Sequence, residues 1–150
     1  MGWYLTGNFA MKLIILEGIS GSGKTTLLSP LLGLSNYEDV FIHRFTPSQW
    51  VYDHLYNRRE TGYENFNTAL QSINDVIVIW CDCDPKVAYQ RQLEKKDAKI
   101  EDLVKARELF SEYFSSVSTW KKLIHLRTDL LSIEDCIKKV KKEIYETRLE

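Results

Sequence analysis

The residues in this sequence best suited to chemistry form a short glycine-rich stretch at positions 18–25. The stretch reads Gly18-Ile19-Ser20-Gly21-Ser22-Gly23-Lys24-Thr25, which has the Gly-x-x-x-x-Gly-Lys-Ser/Thr spacing of a phosphate-binding loop. Its glycines allow the backbone to turn N–H groups toward an anion without Cβ clashes. Lys24 is predicted to contact the β- and γ-phosphates of a nucleotide, and the Thr25 hydroxyl to bind Mg²⁺. The alternative is a glycine-rich turn that binds nothing.

The residues on either side of this loop favour the phosphate-binding interpretation. Residues 12–17 form a short apolar run typical of a strand, and residues 24–33 have a helical pattern. A helix that follows the loop directs the positive end of its dipole at a bound polyphosphate. The sequence therefore predicts a strand, a phosphate-binding loop and a helix, in that order.

Length and composition indicate a small globular enzyme. The chain has 150 residues, 44% of them apolar and 27% charged, with a formal net charge of −1. These values suit a single domain over residues 1–150 and give no electrostatic attraction to polymeric nucleic acid. No apolar stretch is long enough to span a membrane, so no membrane partner is expected. Residues 1–10 do not resemble a signal peptide and are interpreted as an N-terminal extension.

The three cysteines indicate a reducing compartment. Cys81 and Cys83 lie in an apolar run and Cys136 lies far from them in the chain. An odd number of cysteines in buried positions favours free thiols and a cytoplasmic location. The Cys-x-Cys spacing has no matching second pair, so a metal site there is not expected.

The remainder of the chain alternates between strand and helix patterns. Further strands are predicted at 40–45, 76–82 and 122–126. Further helices are predicted at 47–58, 66–73 and 85–96. Another predicted helix ends near Ser115, and a last one is capped by Ser132. Such alternation predicts right-handed crossovers and a mainly parallel sheet of about four strands.

Ligands of parallel sheets bind at the carboxyl ends of the strands. This rule predicts that four segments share one rim of the sheet: the phosphate-binding loop, Arg44, Asp82 to Asp84, and Arg127 with Thr128.

These residues resemble the thymidylate kinases and the related deoxynucleoside kinases. The stretch 13–26 is similar to the opening of those enzymes, and residues 40–45, with Ser48 and Tyr52, resemble their strand that ends in Asp-Arg or Glu-Arg. Residues 78–85, followed by Arg91, are similar to their Leu-Asp-x-x-Pro segment and the next helix. The resemblance implies a shortened member with a three-layer α/β/α P-loop NTPase fold and one strand fewer than typical nucleotide kinases.

What the resemblance implies is phosphoryl transfer from ATP, with Mg²⁺, to a nucleoside monophosphate or a nucleoside. Lys24, Arg44 and Arg91 are the implied catalytic residues: Arg44 binds the acceptor, and Arg91 closes over the γ-phosphate with a lid that carries Lys95, Lys96 and Lys99. The implied cofactor-binding residues are Gly18, Ser20, Gly21, Ser22, Gly23, Lys24, Thr25, Thr26 and Arg127. The implied metal ligands are Thr25, Asp82 and Glu17. The aromatic candidates for stacking on an acceptor base are Phe45, Trp50, Tyr52, Tyr56 and Tyr63.

Each of these roles has a structural alternative. Arg44 is also suited to a surface ion pair, Arg91 to pairing with Glu94, and the lid lysines to a solvated face. Asp82 is also suited to capping the helix that begins at Pro85, and the aromatic side chains to the hydrophobic core.

The sequence departs from the family pattern at three places. His43 stands where the family has an acid before the arginine, and a histidine supplies no carboxylate to Mg²⁺. Ser20 stands where thymidylate kinases carry an acid that contacts the sugar. A strand with an Arg-Glu motif, usual between the first helix and Arg44, is missing.

Three functions therefore stay open: a nucleotide or nucleoside kinase, a phosphotransferase for another small molecule, and a nucleotide-binding regulator with weakened catalysis. A homodimer is implied by analogy with related kinases. Because Lys24 is expected to be solvated in the empty site, Lys24→Ala is expected to change global stability little.

Overall fold

Four parallel strands and six α-helices make up the part of the chain that the computed structural model describes, residues 11–36, 38–60, 62–73, 75–92 and 98–146. The strands are β1 (Lys12–Glu17), β2 (Val40–His43), β3 (Asp75–Asp82) and β4 (Leu123–Arg127). The helices are α1 (Lys24–Leu34), α2 (Thr46–Leu55), α3 (Tyr63–Ile73), α4 (Pro85–Arg91), α5 (Ile100–Glu112) and α6 (Ile133–Val140). Wider π-helical turns extend α5 over Tyr113–Val117 and α6 over Lys141–Tyr145. The interpreted extension 1–10 and the lid residues Lys95 and Lys96 lie outside the described residues.

The sheet has the strand order β2-β1-β3-β4, and every pair of neighbours is parallel. In its register Ile14 lies beside Phe41 on one side and Ile77 on the other, and Ile79 lies beside Ile124. β1 and β3 are therefore the inner strands, and their nearly continuous apolar sequences follow from burial on both faces. The predicted four-stranded parallel α/β architecture is confirmed.

Helices cover both faces of the sheet. On one face Leu16, Ile79 and Leu126 pack with the apolar sides of α1 and α6. On the other face Trp80 packs with side chains from α2 and α5, among them Phe110. The result is a helix–sheet–helix arrangement of three layers, which leaves the carboxyl ends of the strands accessible at one rim.

The segment between α1 and β2 explains why the sheet is small. Among the residues described between Leu34 and Val40 there is no strand, in agreement with the sequence, which predicts none there. β2 therefore forms one edge of the sheet and β4 the other.

The end of β2 differs from the sequence prediction. The strand stops at His43 instead of residue 45, because Arg44 adopts a left-handed backbone conformation with φ of 67°. This reversal turns the chain directly into α2, which starts at Thr46 with Pro47 in its first turn. Elsewhere the predicted boundaries shift by a few residues, and α3 starts at Tyr63 instead of residue 66.

None of the helices in the described ranges is both long enough and apolar enough to cross a membrane.

Candidate functional site

The glycine-rich loop connects β1 to α1 and packs closely against two other elements. Gly18 has a φ of 141°, and a Cβ placed there would lie 2.1 Å from the carbonyl oxygen of Cys81. Gly21 has a φ of 81°, and its Cβ would lie 2.4 Å from the carbonyl oxygen of Ala88 in α4. Only glycine fits these two positions, since each combines a left-handed backbone with a backbone atom at short range.

The start of α1 supplies main-chain donors to this loop. Gly23 occupies the N-cap with a φ of 95°. The N–H groups of the first turn, which begins at Lys24, have no acceptors within the helix and carry the positive end of its dipole. They form the kind of anion-binding site that the motif predicts.

Lys24 is folded back onto the loop. Its side-chain ammonium donates hydrogen bonds to the carbonyl oxygens of Gly18 and Ile19, both at 2.7 Å, and to the Ser22 hydroxyl at 3.1 Å. Only 4% of Lys24 is exposed, so the expectation of a solvated lysine is wrong. Burial, with a smaller contribution from the positive charge of Arg44, lowers the pKa of Lys24 to about 7. The Lys24 ammonium is thus bound by two loop carbonyls and one loop hydroxyl.

A polar cleft, here called the central cleft, opens above the loop and has a volume of about 410 Å³. Three of its lining residues, Lys24, Arg44 and Arg91, are lysine or arginine, which suits a polyphosphate ligand. The residues that line the central cleft are Ser20, Gly21, Gly23, Lys24, Thr25, Thr26, His43, Arg44, Arg91 and Gln92.

Arg44 bridges the loop and α2. Its guanidinium donates to Ser48 Oγ at 3.1 Å, to Tyr52 Oη at 3.3 Å and to Ser20 Oγ at 3.3 Å, and it lies 5.3 Å from the centre of the Tyr52 ring. It makes no salt bridge with a described carboxylate. The guanidinium N–H groups of Arg44 therefore bind neutral hydroxyls, and they can exchange these weak acceptors for an anionic group.

A second cavity, here called the tyrosine cavity, adjoins the central cleft at Ser20 and Arg44 and measures about 250 Å³. Its walls come from α2 and α5. The residues that line it are Ser20, Arg44, Tyr52, Leu55, Tyr56, Ala98, Asp102, Leu103 and Ala106.

The other aromatic candidates are not at this cavity. Trp50 and Tyr63 are 5% and 7% exposed and belong to the hydrophobic core, and Phe45 packs against Phe66 with ring centres 5.7 Å apart. The structure thus brings Tyr52 and Tyr56, of the five predicted aromatic residues, to the tyrosine cavity.

Arg91 bridges the loop to the segment after β4. Its guanidinium donates to the Gly21 carbonyl at 3.2 Å, to the Thr128 hydroxyl at 3.2 Å and to the Thr128 carbonyl at 2.7 Å. The alternative partner Glu94 lies outside the described residues. Arg91 also separates the central cleft from a third cavity, which it lines on the other side.

This third cavity, here called the apolar cavity, measures about 170 Å³ and is mostly hydrophobic. It adjoins the central cleft at Gly23, Thr26 and Arg91. The residues that line it are Gly23, Thr26, Leu27, Arg91, Thr128, Leu131, Ile133 and Cys136.

Arg127 lies on the predicted rim but is paired within its own turn. Its guanidinium donates to both carboxylate oxygens of Asp129, at 2.9 and 2.8 Å, and these bonds hold the pKa of Asp129 down at about 2. The neighbouring Thr128 instead faces the loop, where its hydroxyl donates to the Ser22 carbonyl at 2.6 Å. The rim segments converge as predicted, with Thr128 rather than Arg127 among the residues that line the cavities.

Glu17, predicted as a metal ligand, holds the start of α2. Its carboxylate accepts hydrogen bonds from the N–H of Phe45 at 3.0 Å, from the N–H of Ser48 at 2.8 Å and from the Ser48 hydroxyl. The side chain is fully buried, and burial raises its pKa although these hydrogen bonds act in the opposite direction. Both carboxylate oxygens thus have protein donors.

Asp82, the other predicted carboxylate ligand, joins β3 to β4 and α5. Arg107 donates from Nε to its Oδ1 at 2.8 Å, and His125 Nε2 lies 2.8 Å from its Oδ2. The His125 ring also stacks on Trp80 with centres 4.2 Å apart. Asp84, and not Asp82, caps α4, since its side chain accepts a hydrogen bond from the N–H of Lys86 at 2.8 Å.

These contacts decide which residues fit a magnesium ion. Mg²⁺ in phosphate sites keeps several waters and takes ligands from the substrate phosphates and few protein oxygens. The Thr25 hydroxyl is exposed at the start of α1 and fits this role, whereas the oxygens of Glu17 and Asp82 already accept protein hydrogen bonds. No cluster of three or more metal-binding side chains occurs within the described ranges, Cys81 and Cys83 included.

His43 lies next to this position, with Nε2 3.5 Å from the Thr25 hydroxyl oxygen. Partial burial and the charges of Lys24 and Arg44 lower its pKa. The same effects favour the neutral form of the imidazole beside the Thr25 hydroxyl.

Sequence reasoning did not single out Gln92 or Asp102, although they line the central cleft and the tyrosine cavity. A lone glutamine or aspartate on a helix gives no motif signal, and only the crossing of α4 and α5 near the loop places them there. Lys99, predicted in the lid, is exposed just before α5.

Comparison with solved structures identifies the fold. The YorR protein from Bacillus subtilis, in complex with phosphorylated GDP, superposes with a TM-score of 0.74 at 19% sequence identity, over 92% of this chain and 98% of that one. Deoxyadenosine kinase from M. mycoides, with products dCMP and a flexible dCDP bound, superposes with a TM-score of 0.63 at 12% identity, over 91% and 100%. No family model matches the chain, and no curated protein matches it. The chain thus has the P-loop nucleotide- and nucleoside-kinase-like fold.

Proposed function

We propose that this protein is a kinase that uses ATP and Mg²⁺ to phosphorylate a nucleoside monophosphate or a nucleoside. One observation carries the proposal: three cavities adjoin in a row, apolar, cationic and tyrosine-lined. An apolar cavity suits the base of ATP, a cationic cleft suits its triphosphate, and a neighbouring cavity with aromatic side chains suits the acceptor. The nucleotides bound to the two similar structures support the same substrate class.

In this arrangement the base of ATP occupies the apolar cavity and its phosphates the central cleft. The loop N–H groups and Lys24 bind the phosphates, and Lys24 exchanges the carbonyls of Gly18 and Ile19 for phosphate oxygens. Mg²⁺, held through the Thr25 hydroxyl and the phosphates, supplies charge neutralisation on the transferred group.

The acceptor occupies the tyrosine cavity, with its phosphate or 5′ end at Arg44. An acceptor oxygen then forms a bond to the γ-phosphorus while the bond from that phosphorus to the β–γ bridging oxygen breaks, and ADP leaves. Where the acceptor is a nucleoside hydroxyl, its proton passes to solvent; a monophosphate oxygen has none to lose. Catalysis of this kind is mainly positioning and electrostatic stabilisation. Arg44 suits the role because it lies where the acceptor cavity and the phosphate cleft join.

The direct test is a coupled assay for ADP release with a panel of nucleosides and nucleoside monophosphates. We expect at least one acceptor to increase ATP turnover well above that of Lys24→Ala. No acceptor-dependent turnover above this control would refute kinase activity of this class. Mass spectrometry of the product identifies the phosphorylated acceptor and detects a non-nucleotide acceptor.

A second candidate is a nucleotide-binding regulator without efficient transfer. The observation that favours it is the absence of an uncommitted carboxylate beside Thr25 among the described residues, where His43 stands instead. Calorimetry distinguishes the two functions: tight ATP binding without product formation for any acceptor would support the regulator. The homodimer and the cytoplasmic location expected from the sequence stay predictions.

A further inference from the structure

One side chain at the central cleft has unsatisfied polar atoms. Nε2 and Oε1 of Gln92 are the only buried side-chain nitrogen or oxygen atoms without a hydrogen-bond partner within the described part of the chain. Buried polar groups nearly always have a partner, because leaving one unpaired costs free energy. An amide with both its donor and its acceptor unpaired therefore needs an explanation.

The position of Gln92 connects this amide to the phosphate-binding loop. Gln92 follows the last residue of α4 and lines the central cleft together with Lys24 and Arg91. Its Nε2 lies only 2.8 Å from where a Cβ on Gly21 would be. The amide thus packs against the backbone of Gly21, at the wall of the cleft where a polyphosphate is proposed to bind.

The charge of the cleft explains why a neutral donor is useful there. Lys24, Arg44 and Arg91 already line it, and the charge of Arg44 contributes to the lowered pKa of Lys24. A further cation would add to this repulsion in the empty site, whereas an amide adds an N–H donor without adding charge. The side chain has three rotatable bonds, so its amide can turn from Gly21 into the cleft.

We propose that Gln92 is a phosphate-binding residue: when a polyphosphate enters, its Nε2 donates a hydrogen bond to a phosphoryl oxygen and its Oε1 accepts one from a water bound to the phosphates. This inference rests on the proposed function, of which it specifies one further contact. It predicts opposite effects of one substitution. Removal of the amide eliminates two unpaired buried atoms, which raises the stability of the ligand-free protein. It also removes a hydrogen-bond donor to the phosphates, which lowers their affinity.

The test compares Gln92→Met with Gln90→Met, the same substitution at an exposed position in the preceding helix α4. The probes are ATP and inorganic tripolyphosphate, measured by calorimetry, and the stability of the ligand-free proteins is measured by urea denaturation. We expect Gln92→Met to raise the denaturation midpoint and to weaken the binding of both probes by about tenfold, the usual size of a lost hydrogen bond to a charged group. Gln90→Met changes neither.

The outcomes separate the inference from the function on which it depends. Binding of both probes by wild type and by Gln92→Met with equal affinity would overturn the role of Gln92 alone, as would a lower denaturation midpoint of Gln92→Met. Failure of wild type to bind either probe would overturn the proposed function and this role with it.

A second measurement requires no substitution, in case Gln92→Met does not fold. The side-chain NH₂ resonances of Gln92 in wild type, assigned by triple-resonance NMR, are followed during titration with tripolyphosphate. We expect them to shift with the same saturation curve as the loop amides, while those of Gln90 stay in place. Gln92 resonances that do not move at saturation would contradict the proposal.

Discussion

Lys24 illustrates how the folded loop adds contacts that a motif does not predict. Its ammonium binds the carbonyls of Gly18 and Ile19 and is almost fully buried. The motif predicts its identity and its partner in the complex, but not this internal arrangement, because sequence spacing describes the liganded loop. Its burial means that truncation of Lys24 affects stability as well as rate, so a substitution that keeps the side-chain volume is the better test of its role in the reaction.

We expect Lys24→Met to reduce phosphoryl transfer by about 30- to 1000-fold, since it removes a charge-assisted contact worth roughly 2–4 kcal/mol in the transition state. Methionine keeps most of the side-chain volume and needs no desolvation of an ammonium, so the melting temperature stays within a few degrees of wild type. Steady-state kinetics and thermal denaturation of the same preparation check both parts. A variant that melts near wild type and keeps full activity would exclude Lys24 from the reaction.

Arg44 is expected to act on the acceptor rather than on ATP, because it lies where the tyrosine cavity meets the central cleft. Arg44→Lys keeps the charge and removes the forked donors. We expect the KM of the acceptor to rise by about tenfold or more, the effect of losing one charge-assisted hydrogen bond, while the KM of ATP changes little. Arg59→Lys, at an exposed loop position, is the matched control. Equal effects on both substrates would place Arg44 at the donor.

Asp129 provides a prediction about acid stability. Its pKa is held down at about 2 by Arg127, so the folded state binds its proton less readily than the unfolded state does. The resulting stability is fully present above about pH 4, the pKa of an unfolded aspartate, and is lost as the pH falls toward 2. We expect Asp129→Asn to be less stable than wild type at pH 7 and to lose less stability over this acid range. Urea denaturation from pH 2 to 7 measures both; parallel pH profiles would contradict the assignment.

The helices that border the site depend on caps of different strength. Glu17 of β1 accepts three hydrogen bonds at the start of α2 while fully buried. Ser132 caps α6 at the surface with one bond, from the N–H of Asp135 at 3.0 Å. The first cap joins two elements across the loop, whereas the second stabilises only its own helix.

We expect Glu17→Ala to lower the free energy of unfolding by about 2–4 kcal/mol, because it removes the acceptor of three donors, two of them buried, and Ser132→Ala by only about 1 kcal/mol. Urea denaturation of both variants provides the comparison. Activity of Glu17→Ala measured against Mg²⁺ concentration tests the sequence-based role of Glu17 as a metal ligand. Unchanged stability together with a higher Mg²⁺ concentration for half-maximal activity would favour that role over the cap.

Most of the elements could be predicted from the sequence, and the reason is their periodicity. The continuous apolar run of β3 and the alternation of strands with helices indicate a buried parallel sheet. The end of β2 could not be predicted, since it depends on the left-handed backbone of Arg44 and on Glu17 from another strand. The contacts of Asp82 with Arg107 and His125 likewise join residues far apart in the chain. Motif spacing identified the loop, but tertiary packing determined which carboxylates remain available to a metal.

The molecule as a whole brings three cavities to one rim of a four-stranded parallel sheet. If ATP spans two of these cavities, its binding must stabilise the fold. At an ATP concentration 100 times the Kd, the expected gain is about 2.7 kcal/mol. Thermal denaturation with and without ATP and Mg²⁺ measures it, with Lys24→Ala as the control. No rise in the melting temperature of wild type at millimolar ATP would contradict nucleotide binding.

The three buried cysteine thiols allow local opening of the structure to be measured by chemical labelling. Cys81 and Cys83 are fully buried, and Cys136, which is 1% exposed, forms part of the wall of the apolar cavity. Burial raises the pKa of each and shields each sulfur from solvent, so alkylation is expected to be slow until the surrounding structure opens. The rate of labelling at each cysteine, measured by mass spectrometry, thus reports local opening around that cysteine without an engineered label. A nucleotide base bound in the apolar cavity beside Cys136 would slow the labelling of Cys136 selectively.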